Sequence, residues 1–287
     1  MSGELLAPDT TMGAVTLDVA DLDGMTRYYR DAVGLDVLAA ADATVTLGRG
    51  VTAVVILRHA PRLRHAGPRE AGLFHTAILF DSQQALAAAV NSVARMYPGR
   101  FTGSADHLVS KAFYFDDPEG NGVELYWDRD RTQWSWTHGQ VEMATVYLDP
   151  REFLGEHLTE SGMDAPGMGG AVVGHVHLSV GDTATAREFY VDRLGFEATA
   201  SLGNEALFVS AGRYHHHMAM NVWNSRGAGL RQPALGLGQV DIIVPNADEV
   251  GALTERMKHY GLQPRDDGRT VTVDDPWANR VHVSVAA

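Results

Sequence analysis

The sequence predicts an α+β protein assembled from four copies of one βαβββ module. Two observations carry this reading. Four apolar strand candidates, at 14–20, 75–81, 175–181 and 239–245, are each followed, seven residues after their first position, by a short polar residue: Asp21, Ser82, Asp182 and Asn246. The side-chain oxygen of such a residue can accept the free backbone N–H groups of a first helical turn. Each helical stretch then ends at a glycine, Gly34, Gly99, Gly195 or Gly261, where a left-handed residue stops a helix. Self-similarity at this scale sets the architecture before any single residue is weighed.

The modules span about 12–60, 72–128, 172–224 and 237–286. Modules one and three match at a constant offset of 161, with Asp21, Tyr29, Asp31 and Gly34 recurring as Asp182, Tyr190, Asp192 and Gly195. Modules two and four share a chain-reversing turn, Asp-Asp-Pro-Glu-Gly-Asn at 116–121 and Asp-Asp-Pro-Trp-Ala-Asn at 274–279. Along the chain, 12–128 holds modules one and two, 129–170 is a linker, and 171–287 holds modules three and four. Within the linker, 149–158 predicts a short helix, and the Gly- and Met-rich stretch 160–170 predicts a flexible connection. Trp134 and Trp136 read as packing anchors at a domain junction.

Composition limits the function. The 287 residues suit about two domains, and 45% hydrophobic with 21% charged residues is ordinary globular material. With 23 Lys plus Arg against 36 Asp plus Glu, the formal charge is −13. Such a surface repels phosphate backbones and anionic lipids, so neither nucleic acid nor a membrane is an expected partner. The absence of cysteine excludes disulfides, thiolate metal sites and cysteine nucleophiles. No apolar run approaches the roughly 20 residues of a membrane span, and residues 1–11 lack a signal-peptide pattern. A cytoplasmic location is the resulting expectation.

Strand-borne histidines at 75 and 175, a carboxylate at 124, and the strings at 72–79, 106–126, 174–178 and 212–217 resemble the vicinal oxygen chelate superfamily. Within it the chain is similar to the bacterial catechol 2,3-dioxygenase-like, extradiol ring-cleaving enzymes. The resemblance covers nearly the whole chain. It implies two half-open β-barrels, with metal ligands at the start of a module's first strand and in its last strand. The first-strand positions are Ala14, His75, His175 and Gln239, and the last-strand positions of modules two and four are Glu124 and His282. His75, His175 and Glu124 are then the metal ligands, a set of two imidazoles and one carboxylate suited to non-haem Fe(II), with Mn(II) as the alternative. No metal is expected in the half made by modules one and four. His177 shares strand parity with His175 and stays open as the alternative ligand, being otherwise a substrate-binding residue.

The same resemblance implies roles for three further residues. Tyr114, ten residues before Glu124, matches the family's substrate-contacting tyrosine. His216 is the expected base, placed by strand alternation on one face with Met218 and Met220, with His215 and His217 opposite. His107 is expected to hydrogen-bond substrate or oxygen. The implied reaction is extradiol cleavage of a catechol-type aromatic diol by O₂. The alternatives on this scaffold are a glyoxalase-like lyase or isomerase, whose metal sites commonly carry two carboxylates, and a metal-free small-molecule binder. Exposed strand edges make a homodimer plausible. Because the three ligands lie in modules two and three, those two should close one half-barrel, and modules one and four the other.

Overall fold

A computed structural model of the chain describes residues 5–286. All four caps are in place: the side chains of Asp21, Ser82, Asp182 and Asn246 accept the backbone N–H of Gly24, Ala85, Thr185 and Glu249. The helices they open are Leu22–Arg27, Gln83–Met96, Thr183–Arg187 and Ala247–His259; the first and third continue as a wider π-turn through Tyr28–Ala32 and Glu188–Arg193. Gly34, Gly99, Gly195 and Gly261 all adopt positive φ.

The strands form two large curled sheets, and their order confirms the crossed pairing. One sheet of eight strands runs Arg265–Asp266, Thr270–Asp274, Arg280–Val285, Gly236–Val244, Thr11–Val19, Thr52–His59, Thr44–Arg49, Asp36–Ala41. It joins module four to module one through Thr11–Val19 against Gly236–Val244. The other, of nine strands, runs Val146–Tyr147, Phe101–Asp106, Ser110–Asp116, Gly122–Asp128, Gly72–Phe80, Ala171–Ser179, Met218–Asn221, Ala206–Ser210, Glu197–Leu202. Here the first strands of modules two and three pair antiparallel at the centre.

Alternation along the central strands separates two environments. In Ala171–Ser179, Val176 and Leu178 join the large apolar core, while His175 and His177 face a cavity on the concave side. Helix Gln83–Met96 buries Leu86, Ala89, Val90 and Val93 in the same core.

The shared turns of modules two and four tie the sheets together. Asp117 accepts the backbone N–H of Glu119 and Asn121 and the side-chain amide of Asn121, and it receives the Tyr29 hydroxyl of module one at 3.2 Å. Asp275 repeats this with Trp277, Asn279 and the Tyr190 hydroxyl of module three at 3.0 Å. This explains why Tyr29 and Tyr190 recur at one offset. Each latch links modules consecutive in the chain but lying in different sheets.

The linker differs from its predicted flexibility. The helix Pro150–His157, capped by Asp149, agrees with the prediction, but Glu160–Asp164 forms a second helix capped by Thr159. It packs on Gln83–Met96, where Gly162 lies too near the Ala88 methyl for an easy added Cβ, at 3.1 Å. Apolar contact with a preformed helix outweighs the local glycine content. Trp134 is an anchor as expected, buried with Val109, Val141 and Tyr214, and Trp136 packs against the same cluster with the Arg213 guanidinium over its ring. Among the described residues no helix is long and apolar enough to cross a membrane.

Candidate metal centre and active-site cavity

Sheet register assembles the site. Tyr114 lies opposite Glu124, Glu124 opposite Ala77, and Ala77 opposite His175, forming one row across four strands. The next row on the same face runs from Gly122 to His75 to His177 to Ala219. Residues in register share a face, so two sequence-distant strands bring His75 and His175 to one carboxylate across the small Ala77. Gly122 has a similar role: a Cβ there would lie 2.2 Å from the Phe74 carbonyl oxygen and 3.0 Å from the His75 Cβ. Gly122→Ala is therefore expected to destabilise the fold by about 1–3 kcal/mol and to displace the His75 ring, read as a lowered urea midpoint.

His75 Nε2 and His175 Nε2 lie 2.9 and 3.1 Å from the same Glu124 oxygen, and the three groups form a buried cluster of donor atoms within 4.8 Å of one another. Despite that short distance, His75 Nε2 makes no hydrogen bond of acceptable geometry. Burial pushes the Glu124 carboxyl up, but the attraction and hydrogen bond of His175, together with the adjacent His75, outweigh it and hold it well below the usual carboxylate range. Burial brings the His175 imidazole down to about 4, against the pull of Glu124. Both shifts favour an ionised carboxylate beside a neutral imidazole at neutral pH, the protonation state in which these groups ligate a divalent cation. Two imidazoles, one carboxylate and an orphaned buried nitrogen fit such a cation.

His177 does not join this group. Its Nε2 accepts from the Asn221 amide at 3.0 Å, and its ring packs between Phe74 and Trp223, so it lines the cavity wall. His107 reaches the site through Tyr114. Its Nδ1 lies 2.7 Å from the Ala144 carbonyl oxygen, which can only accept, so Nδ1 carries the proton. Its Nε2 then accepts the Tyr114 O–H at 2.7 Å. Both nitrogens are thus engaged within the protein, one by the Ala144 carbonyl and one by the Tyr114 hydroxyl. Burial, followed by the charge of Glu124, raises the Tyr114 hydroxyl well above its ordinary value and keeps it protonated.

The histidine run 215–217 departs from simple alternation. Gly212 and Arg213 take positive φ, and the strand starts only at Met218. In the preceding bends His215 and His216 both turn toward His175, with ring centroids at 5.8 and 4.1 Å, whereas Met218 and Met220 belong to the apolar core. His216 thus lines the cavity, but on the face opposite to Met218 and Met220. Behind it runs a chain that sequence reading missed. His215 Nε2 donates to Asp128 Oδ1 at 2.9 Å, and His215 Nδ1 lies 2.8 Å from His216 Nδ1. Asp128 also accepts from Tyr214 at 2.6 Å, which in turn accepts from Tyr126 at 2.8 Å. Where His216 supplies the proton of that Nδ1–Nδ1 contact, its Nε2 is left bare. Burial holds His216 well below its ordinary value, so it is neutral at pH 7. Tyr126 and Asp128 had one available signal, being two and four residues beyond Glu124 on the same strand face; Tyr214 had none.

His217 points elsewhere, accepting from the Ala211 N–H at 3.2 Å through Nδ1. Burial brings its imidazole down to about 3. Because its folded value lies below the unfolded 6.5, the unfolded chain binds the extra proton as pH falls from 6.5 toward 3, and stability is lost in that window. Between pH 7 and 5 this amounts to about 2 kcal/mol. His217→Gln should shrink the loss of denaturation free energy over that interval by about this amount; an unchanged pH slope would show that His217 is not buried neutral.

In the half made by modules one and four, the corresponding face carries an Asp18–Arg58 ion pair and a Gln239–Asp241 hydrogen bond, with His282 3.2 Å from Asp241.

The model of the Glyoxalase/Bleomycin resistance protein/Dioxygenase superfamily matches residues 11–125 and 172–283. A catechol-2,3-dioxygenase of Bacillus subtilis (strain 168) is 34% identical over 274 residues, spanning 93% of this chain and 94% of that protein. Among solved structures, a putative dioxygenase from Bacillus subtilis subsp. subtilis str. 168 superposes with TM-score 0.65 at 13% identity, over 99% of this chain and 86% of that one. Glyoxalase I from Zea mays does so with TM-score 0.57 at 17% identity, over 96% and 92%. At those identities the two structures speak for the fold.

Proposed function

Since the chain belongs to the glyoxalase/bleomycin resistance protein/dioxygenase superfamily, we propose that it is an Fe(II)-dependent extradiol dioxygenase that opens a catechol-type ring with O₂. The observation that carries this reading is the buried His75–Glu124–His175 group at the wall of a large cavity beside the neutral His216. The 34% identical catechol-2,3-dioxygenase supports it. A glyoxalase-type centre with two carboxylates is less well served, because Glu124 is the single carboxylate in this cluster.

His75, His175 and Glu124 would hold the iron, with Mn(II) as the substitute this donor set also suits. When bound, the iron supplies the electronic path between the electron-rich ring and oxygen. The protein's own residues do the rest. His216 takes a ring hydroxyl proton at its bare Nε2, while His215 and Asp128 behind it fix the imidazole and stabilise the positive charge it gains. Tyr114, held by His107, presents its hydroxyl beside Glu124. Phe74, Phe208 and Trp223 supply apolar walls that exclude water.

The test is direct. Protein loaded with Fe(II) under anaerobic conditions and mixed with aerated catechol should produce a yellow ring-fission product. Chelation should abolish this and Fe(II) restore it, whereas Zn²⁺, which has no redox chemistry, should not. Colourless, unchanged catechol and its substituted analogues in the presence of retained iron would refute the reading.

A further inference from the structure

The cavity over the three candidate ligands has a volume of about 1210 Å³. Small-molecule sites usually occupy roughly 300–1,000 Å³, so a single six-membered ring with two oxygens leaves most of this one unfilled. The surplus lies away from the ligands. It extends past Phe74 and Trp223 on one side, and on the other toward Leu202 of strand Glu197–Leu202 and Val141 and Met143 around the short ribbon Trp136–Thr137/Gln140–Val141.

Its chemistry is one-sided. Phe74, Trp223 and His177 pack with ring centroids 5.0–5.4 Å apart, Trp223 edge-on to the other two, and Phe208 continues the wall to His216 at 5.1 Å. Trp223, packed on one side by these rings, remains 45% exposed. Among the described residues the lining holds no lysine or arginine, and its carboxylates are Asp116, Glu124 and Glu142. A substrate carboxylate in the outer cavity would lose hydration and meet negative charge without a lysine or arginine partner. An alkyl or aryl group would bury apolar surface against the aromatic wall.

We propose that the diol taken by this cavity carries a neutral apolar substituent, alkyl or aryl, and that carboxylate-bearing catechols are discriminated against. This rests on the ring-cleavage reading above. The test compares catechol, a butyl- or phenyl-substituted catechol, and a carboxyalkyl catechol of matched length with the iron-loaded protein. The apolar analogue should exceed catechol in kcat/KM by roughly 10-fold or more, the scale of an added apolar group in a fitted pocket, and the carboxylated one should fall below catechol. Equal values, or a preference for the carboxylated ring, would overturn the inference while leaving ring cleavage intact. If no diol is cleaved, ring cleavage fails, and anaerobic tryptophan-fluorescence titration with the same three compounds decides the cavity inference separately. Tighter binding of the apolar analogue supports it, and equal affinities overturn it. Trp223→Ala should narrow the preference for the apolar analogue several-fold; an undiminished preference in this variant would remove the aromatic wall from recognition.

Discussion

Glu124→Gln is expected to lower Fe(II) affinity by well over 100-fold while leaving the fold intact. Loss of an outer partner alone typically weakens a metal site by about 10–100-fold, and here the ligand charge itself disappears. Glutamine keeps the volume of a side chain buried between two strands, so packing against Tyr114 and Ala77 is retained. It cannot neutralise a divalent cation held by the two remaining imidazoles. Iron content after anaerobic loading and desalting measures the loss. A second readout is thermal: a ligand present at 100 times its Kd stabilises by about 2.7 kcal/mol, so Fe(II) should raise the melting temperature of the parent and not that of the variant. Equal iron retention by both proteins would take Glu124 out of the ligand set.

His216→Phe should retain iron and slow turnover by roughly 10²–10⁴-fold, the range for loss of general acid–base catalysis. The ring sits among His175, Phe208 and His215, where phenylalanine fits the space but offers no lone pair. Steady-state kcat on the preferred diol, with iron content determined on the same sample, separates this from metal loss. Asp128→Asn should produce a smaller fall in kcat, because it weakens the hold on His215 without removing the nitrogen that accepts the proton. Full activity in the His216 variant would place proton transfer elsewhere on the cavity wall.

Much of this architecture could be read from short-range pattern. The caps and glycine stops depend on residues within one helical turn, so Asp21, Ser82, Asp182 and Asn246 announced the four modules without tertiary information. The crossed pairing followed from the uneven distribution of His75, His175, Glu124, Ala14 and Gln239, and the sheet order agrees with it. What local pattern missed depends on tertiary geometry. The run 215–217 is set by the left-handed Gly212 and Arg213, which delay the strand and turn two neighbouring imidazoles inward together. The Tyr126–Tyr214–Asp128–His215 chain joins side chains 86–88 positions apart, for which no spacing rule exists. Residues 160–164 became helical because a neighbouring helix offered an apolar surface, a contribution absent from their own composition.

The crossed strand order also constrains the protein during its synthesis. His75 and Glu124 leave the ribosome well before strand Ala171–Ser179, the partner that covers one edge of Gly72–Phe80. Thr11–Val19 waits longer still, since Thr11 pairs with Ile243. A nascent chain ending at the linker therefore exposes the central edges of both sheets at once: the nine-stranded sheet is completed only with module three, and the eight-stranded sheet only with module four. Folding dominated by such distant pairings is slow, and it leaves unpaired strand edges open to aggregation in the interval. High-level expression should consequently be limited by the lifetime of that half-made chain, and slower translation alone would prolong the exposure.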